Sequence, residues 1–200
     1  IETLDIKQLA NNAKSLDIDD AVDLAEDLEE KDQNIFLENL EEEERTLIEE
    51  GLNYPEDSAG RLMQRKFVAL DQSWNVGQAI DYLRINKKKL PDDFYDIFLI
   101  NNNKKVKGVV PLGRLMGSKR NVDLKAITNK DTRLINVSTD QEDVAYLFSK
   151  YGLVSAAVVD ENNKIIGSIT VDDVVEVIEE EREEDILKLG GVGHTDIYNA

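Results

Sequence analysis

The sequence predicts an α and α/β fold class, in which an all-helical bundle precedes two similar α/β modules and a C-terminal helix. Three observations favour it. Apolar residues recur at helical spacing from Ile6 to about Gly51. After that segment, short β-branched runs alternate with helical stretches. Two of these α/β stretches are copies of each other, about 60 residues apart, which indicates an internal repeat.

The helical bundle has one apolar face and one acidic face. Val22, Ala25 and Leu28 show the apolar spacing, and Gly51 is predicted to end the last helix as a C-cap residue. The polar side is dominated by carboxylates, namely Asp17, Asp19, Asp20, Asp23, Glu26, Asp27, Glu29, Glu30 and the run from Glu41 to Glu44. The bundle therefore presents a strongly negative surface.

The repeat gives the order of elements in the second half. The segment Ile97–Gly108 aligns without a gap against Ala156–Gly167, and a glycine closes each copy. In each copy the sequence pattern predicts a helix, a strand, an Asn-rich turn, a second strand and another helix, in that order. The predicted helices are Val76–Leu83 and Asp143–Tyr151, and the predicted strands are Ile97–Ile100, Val106–Val110, Val154–Val159 and Ile165–Thr170.

The final helix is predicted to begin at Val171 and to change character along its length. Its first part has apolar residues that can pack, but Glu179–Asp185 contains six acids, one Arg and no apolar side chain. Asp173, Glu176, Glu180 and Glu184 recur at spacings of three and four and form one acidic stripe. The glycines between residues 190 and 193 predict a flexible hinge.

Composition excludes several classes of function. Acidic residues number 42 against 24 basic ones, and the formal charge of -18 opposes binding to nucleic acid or to an anionic membrane surface. Cysteine is absent and His194 is the only histidine, so disulfides and zinc fingers are excluded and any metal is expected to be hard and oxygen-bound.

The sequence also predicts that the chain is not an enzyme and does not cross a membrane. It has no nucleophile elbow and no P-loop, and His194 lies in a Gly-flanked tail. No apolar run approaches the roughly 20 residues of a spanning helix. Because it begins at Ile1 without an initiator Met or a signal pattern, the chain is expected to be cut from a longer protein.

Three segments carry a resemblance to known families. The repeat, with Gly167–Asp173 in its second copy, resembles the CBS module, which normally occurs in pairs. Tyr54–Met63 resembles the junction sequence of MgtE-family magnesium channels, and Thr170–Leu189 is similar to the connecting helix of that family. The bundle in front of them completes the family's order of parts.

The MgtE resemblance implies a domain plan and a setting. Residues 1–53 would be the acidic helical domain, 54–119 the first CBS module, 120–178 the second, 171–189 the connecting helix and 190–200 a hinge. The expected protein is a homodimer at the cytoplasmic face of the cell membrane, joined to its own transmembrane domain, which this chain lacks. Its expected function is to sense Mg²⁺ and to lock the pore.

The resemblance also implies the magnesium ligands. Matching positions in the family suggest Asp19, Asp23, Glu142, Asp173, Glu176, Glu181, Glu184 and Asp185. One family acid is lost, because Gly152 stands in its place.

Physical chemistry supports a cation-dependent closure of the two acidic faces. Two carboxylates about 6 Å apart repel by roughly 3 kcal/mol at an effective dielectric constant of about 20. Mg²⁺ prefers oxygen ligands and is often held by one or two carboxylates with several retained waters. The hypothesis is that divalent ions bridge the stripe on the final helix to Asp19 and Asp23. A solvated, charged helix end remains the plain alternative.

An adenine-nucleotide sensor attached to some effector is the second functional hypothesis. CBS pairs often bind adenosine nucleotides through a Thr and an Asp, and Thr170 and Asp173 fill those places in the second copy. In the first copy Pro111 and Arg114 stand there instead, so one ATP site per pair is expected at most. Thr170 could equally be a strand-end hydroxyl that caps the next helix.

Overall fold

The structure is a computed structural model that describes residues 3–13, 16, 18–129, 131–179 and 182. It confirms the predicted fold class. Four helices form the bundle, and their bounds are α1 Thr3–Ala13, α2 Ile18–Glu26, α3 Glu30–Glu38 and α4 Glu42–Leu52. Their apolar faces meet in one core, which includes Ile6, Ala10, Val22, Ala25, Phe36 and Ile48.

Gly51 has a different role from the one predicted. It lies inside α4, and the helix ends one residue later, at Leu52, with Asn53 as its C-cap. A Cβ atom at Gly51 would lie 2.4 Å from Cγ2 of Val22, a distance at which atoms clash. The glycine is therefore required by the close approach of α4 to α2, and the prediction of a C-cap was wrong because it considered only the local pattern.

The rest of the described chain forms two small sheets with helices. The first region contains α5 Ala59–Leu62, β1 Ala69–Asp71, α6 Val76–Ile85, β2 Asp96–Ile100, β3 Val106–Pro111 and α7 Leu112–Met116. The second contains β4 Leu134–Asn136, α8 Gln141–Tyr151, β5 Ser155–Val159 and β6 Ile165–Thr170, followed by a helix over 171–179, which we call α9. The predicted strands are confirmed to within a residue at each end.

The two sheets confirm the internal repeat in detail. Their strand orders are β1-β2-β3 and β4-β5-β6, and in each the first pair is parallel and the second antiparallel. Both antiparallel pairs also have a register shift at the same place, between Leu99 and Ile100 in one and between Val158 and Val159 in the other. The repeat is therefore structural as well as sequential.

The last strand of each sheet pairs at its edge with the segment that precedes the other sheet, and we call this segment the borrowed segment. Gln64, which comes before the first sheet, exchanges two backbone hydrogen bonds of 2.8 and 3.0 Å with Ser168 of β6. Asn129, which comes before the second sheet, exchanges two with Val109 of β3, at 2.8 and 3.4 Å. Met63 correspondingly packs in the core of the second module. Neither module is therefore a single continuous stretch of chain.

This exchange explains the two glycines that close the repeat. A Cβ atom on Gly108 would lie 2.0 Å from Cγ2 of Thr128, and one on Gly167 would lie 2.5 Å from Sδ of Met63. In both modules the borrowed segment passes directly over the glycine. Only a residue without a side chain leaves room for it.

Within the part of the chain that the structure describes, no helix combines the length and the apolar character needed to cross a bilayer.

Candidate functional site

The helix α5 and the residues after it form a junction between the bundle and the second module. The helix contacts α2 and α4 of the bundle, and it also packs on α8, β4 and β6 of the second module. Two ion pairs cross from the junction to the bundle. Arg61 pairs with Glu26 at the end of α2, with Nη2 3.2 Å from Oε1 in addition to a closer contact through Nη1, and Nη2 of Arg65 lies 3.3 Å from Oε2 of Glu50.

Arg61 is deeply buried for a charged residue. Its side chain is only 7% exposed, and its Nη2 atom also donates to the carbonyl oxygen of Tyr54 at 3.1 Å. The guanidinium of Arg65 lies over the Tyr54 ring, 5.6 Å from its centre. Sequence analysis did not select these residues. The signal was present, because Arg61 and Arg65 are cations that directly follow an acidic bundle.

The structure places the predicted metal ligands on three separate elements. Asp19 and Asp23 lie on α2, where Asp19 is half-buried and Asp23 is exposed. Glu142 lies in the first turn of α8 and Glu176 within α9, and both are exposed. Among the described residues, no group of three or more His, Asp or Glu side chains could hold a metal ion. Three further predicted ligands, Glu181, Glu184 and Asp185, lie outside the described residues.

Asp173 accepts three hydrogen bonds from protein donors. Its Oδ2 accepts from the backbone N–H of Thr170 at 2.6 Å and from the Thr170 hydroxyl at 2.9 Å, and its Oδ1 accepts from Nε2 of Gln64 at 2.9 Å. Asp173 is 6% exposed, and burial raises the pKa of its carboxyl while the bonds from Thr170 lower it. This carboxylate fixes the start of α9, as a residue in the first helical turn does when it bonds back to the capping residue.

Thr170 lies at the edge of a cleft between the two sheets. The cleft is open to solvent, and its enclosed space is small, about 20 Å³. Its wall includes polar groups from both halves of the repeat and several aromatic rings, namely Gln64, Lys66, Phe67, Asp93, Phe94, Tyr95, Asp96, Phe98, Ser155, Ser168 and Thr170. Asp173 does not line it. Of the two predicted nucleotide residues, only Thr170 therefore faces this space.

In the wall of the cleft, the Asp96 carboxyl has a pKa that is shifted by its surroundings. It begins β2, and its Oδ2 accepts a 2.7 Å hydrogen bond from the hydroxyl of Ser155, which begins β5. Burial raises the pKa of the Asp96 carboxyl, and the bond from Ser155 opposes that shift. Because the two residues hold equivalent positions in the repeat, this bond joins the modules across their pseudo-symmetry axis.

The first module keeps the same construction with the charges reversed. Arg114 holds the position that Asp173 holds in the second, and its Nη1 donates to the carbonyl of Ile127 at 3.0 Å and to Oδ1 of Asn129 at 2.9 Å. In each module the helix after the last strand is therefore tied to the borrowed edge segment. The guanidinium of Arg114 makes this connection in the first module, and the carboxylate of Asp173 makes it in the second.

Two segments of the chain match known protein families. Residues 1–57 match the family described as the MgtE intracellular N domain, and residues 124–180 match the CBS domain. The magnesium transporter MgtE of Thermus thermophilus is 36% identical over 146 residues, which are 72% of this chain. The chain belongs to the MgtE family. It spans 32% of the length of that MgtE relative.

Two solved structures of magnesium-transport proteins share most of this arrangement. The crystal structure of the soluble part of a magnesium transporter has a TM-score of 0.81 and 28% identity, with 88% of this chain and 68% of the other covered. The cytosolic domain of the Mg²⁺ channel MgtE in complex with ATP has a TM-score of 0.78 and 26% identity, with 88% and 71% covered. The bundle and the MgtE-type module pair are thus related to these structures as one unit.

Proposed function

We propose that this chain is the Mg²⁺-sensing and gating region of a magnesium transporter, placed at the cytoplasmic face of the membrane beside a transmembrane domain. The observation that carries the proposal is its likeness, through both bundle and module pair, to the soluble part of a magnesium transporter. On this proposal the chain has no catalytic role. Binding of cations would be read out as a change in the position of α9.

The charge distribution supports cation sensing. The acidic residues of α2 are concentrated on its exposed side, where Asp20, Asp23 and Glu26 lie. Glu176 is exposed on α9, at the beginning of the run that continues to Asp185 in the sequence. Their carboxylate oxygens are the donors that Mg²⁺ prefers, and one or two per ion are sufficient when the ion retains its waters. Ions held between such surfaces would reduce their mutual repulsion.

The placement of Asp173 refines the proposed ligand set. Its oxygens accept three hydrogen bonds from the protein, so we assign it to the start of α9 and retain Asp19, Asp23, Glu142 and Glu176 as the proposed cation-facing residues in the described chain. Glu181, Glu184 and Asp185 remain proposed ligands on sequence grounds.

Small-angle scattering tests the closure. At constant ionic strength, millimolar Mg²⁺ is expected to lower the radius of gyration, because it allows acidic faces to approach. The double variant Asp23→Asn with Glu176→Gln is expected to need more Mg²⁺ for the same change. Glu29→Gln with Asp143→Asn removes the same charge from other exposed positions and serves as the matched control. A radius of gyration unaffected by Mg²⁺ contradicts the proposal.

ATP binding in the cleft is a second proposed function, favoured by the cleft beside Thr170 and by the related structure that is a complex with ATP. The aromatic rings of the wall suit a base, and Lys66 is an exposed cation that can approach phosphates. Calorimetry with ATP tests it, and Lys66→Gln is expected to weaken binding several-fold by removing one charge-assisted hydrogen bond. Equal affinity in Lys107→Gln, an exposed lysine outside the cleft, provides the control. No heat of binding for the unaltered protein would favour a cation sensor without nucleotide.

Homodimer formation is proposed from the exposed apolar residues of the two modules. Tyr95 and Met116 of the first module and Val154 and Val175 of the second are 49%, 61%, 44% and 48% exposed and hold equivalent places in the repeat. Apolar patches of this kind on a soluble surface are typical of association sites. Light scattering is expected to give the mass of a dimer, and Met116→Glu with Val175→Glu that of a monomer. Leu16→Glu, on the bundle, should leave the mass unchanged.

A further inference from the structure

Four consecutive residues connect the bundle, the second sheet and α9 through partly buried polar contacts. We call residues 61–64 the strap. Arg61 at its first position holds Glu26 of the bundle, and Gln64 at its last position holds Asp173 of α9. Arg61 is 7% exposed and Asp173 6%. The strap therefore joins two elements that are distant in sequence, and in each contact one partner is shielded from water, although Glu26 is 39% exposed.

The middle of the strap is fixed to the second sheet. Met63 is 1% exposed and fills the space over Gly167, and the backbone of Gln64 exchanges its two hydrogen bonds with Ser168. Three Cα steps separate Arg61 from Gln64, so the strap spans at most roughly 11 Å. A segment this short, packed along its length, has little slack to absorb a displacement of either end.

The contact at each end is costly to break. A buried guanidinium that loses its carboxylate leaves a charge without compensation, and this is strongly unfavourable. At the other end, Gln64 supplies the donor for Oδ1 of Asp173, while Oδ2 closes the first turn of α9. Moving the bundle away from the strap therefore disturbs Arg61, and moving the strap disturbs the carboxylate that starts α9.

We propose that Arg61 and Gln64 are positioning residues that couple the bundle mechanically to α9, without any cation between them. The inference rests on the proposed gating function, since it gives the route by which the position of the bundle reaches the helix that leads onward. The coupling itself belongs to the protein alone. It can therefore be measured at one saturating Mg²⁺ concentration, where the bundle is in its closed position and the cation is held constant between variants.

Hydrogen exchange of α9 at saturating Mg²⁺ tests the coupling. Glu26→Gln changes a residue of the bundle that makes its ion pair with the strap and not with α9. The amides of residues 174–178 are nevertheless expected to exchange faster, by roughly fivefold, as for the loss of one net hydrogen bond. Glu29→Gln, an exposed acid just beyond α2, should leave exchange in α9 unchanged. Exchange that increases only within the bundle in Glu26→Gln overturns the proposal.

A second variant keeps the test decisive if Glu26→Gln loosens the bundle itself. Gln64→Leu removes the donor to Asp173 and leaves the bundle residues intact, so exchange in α9 is expected to rise directly. In the Gln64→Leu background, Glu26→Gln should add no further increase in α9, because the route is already cut. Additive effects would show two independent disturbances and refute the strap. Absence of Mg²⁺-driven compaction, together with an intact effect of Glu26→Gln on exchange in α9, would instead reject only the cation-sensing proposal.

Discussion

Individual glycines in this chain are required by contacts with distant segments. A Cβ atom on Gly51, Gly108 or Gly167 would lie within 2.5 Å of a side chain from another part of the chain. Gly113, by contrast, has nothing within 4 Å of a Cβ built on it. The three positions are thus specified by packing, whereas Gly113 is open to substitution.

Substitution of Gly108 by Ala is expected to destabilise the protein by about 1–3 kcal/mol, the usual cost of forcing an extra methyl group into a packed site. Thr128, which the methyl group would strike, is β-branched and has few alternative rotamers. Gly113→Ala, in the helix α7, is expected to stabilise by about 0.5–1 kcal/mol. Urea unfolding of both variants gives the comparison. Equal stabilities would show that the borrowed segment does not press on Gly108.

The carboxyl of Asp96 is expected to make stability depend on pH. Its pKa is raised above the ordinary value of 3.8, so the folded state binds a proton more tightly than the unfolded chain does. The free energy of unfolding should therefore decrease as the pH rises from about the ordinary value through the raised one, and then level off. Asp173 contributes in the same direction, since its pKa is also raised.

Asp96→Asn is expected to weaken this dependence, because the amide oxygen can still accept from Ser155 and no charge is buried. Relative to the unaltered protein, the variant should gain stability as the pH rises from 4 to 7. Urea unfolding at several pH values measures it. Asp92→Asn, at an exposed neighbouring position, is the control, and identical pH profiles for Asp96→Asn and the unaltered protein would contradict the expectation.

At the scale of elements, the modules depend on each other for an edge. The segment before the first sheet pairs with β6, and the segment before the second sheet pairs with β3. An exposed strand edge is a liability for a soluble protein, and the exchange covers part of one edge in each module. The modules should consequently fold and unfold together.

Substitution of Gln64 by Pro should therefore destabilise the second module, although Gln64 precedes the first sheet. Gln64→Pro removes the N–H that donates to Ser168 and is expected to cost about 1–3 kcal/mol through an unsatisfied buried carbonyl. Hydrogen exchange should increase in β6 more than in β3. Asn129→Pro is the reciprocal variant, and it should affect β3 more than β6. The same pattern of exchange in both variants would show that the borrowed edges are not specific.

For the whole molecule, a formal charge of -18 at pH 7 opposes the compact state. Monovalent salt screens this repulsion generally, whereas a divalent ion that bridges two carboxylates acts at particular places. The two effects can be separated by comparing salts at equal ionic strength. At equal ionic strength, the proposed sensor should become more compact and more stable in the divalent salt than in the monovalent one.

Mg²⁺ is expected to raise the melting temperature above that in NaCl of the same ionic strength. At a concentration of about a hundred times the dissociation constant, one site contributes about 2.7 kcal/mol, and for a chain of this size each kcal/mol corresponds to roughly 2–4 °C. Asp23→Asn with Glu176→Gln should lose part of the increase. Equal melting temperatures in the two salts would indicate that screening alone acts on this charge.

The parts of this protein and their order follow from local patterns in its sequence. Helical periodicity located the bundle, the repeat located both sheets, and the segments around Tyr54–Met63 and Thr170–Leu189 indicated the MgtE family. These features are readable because periodicity and turn residues act over a few neighbouring positions. The same reading selected Thr170, which lies in the wall of the cleft.

How the parts meet depends on contacts between distant segments. Glu26 and Arg61 are 35 residues apart, and Gln64 and Asp173 are 109 apart, so no local pattern connects them. Packing also makes Gly51 a contact with α2 instead of the expected helix end, and it gives Asp173 three hydrogen-bond donors. The physical reason is that burial and hydrogen bonding depend on which surfaces come together, and a one-dimensional pattern does not specify that.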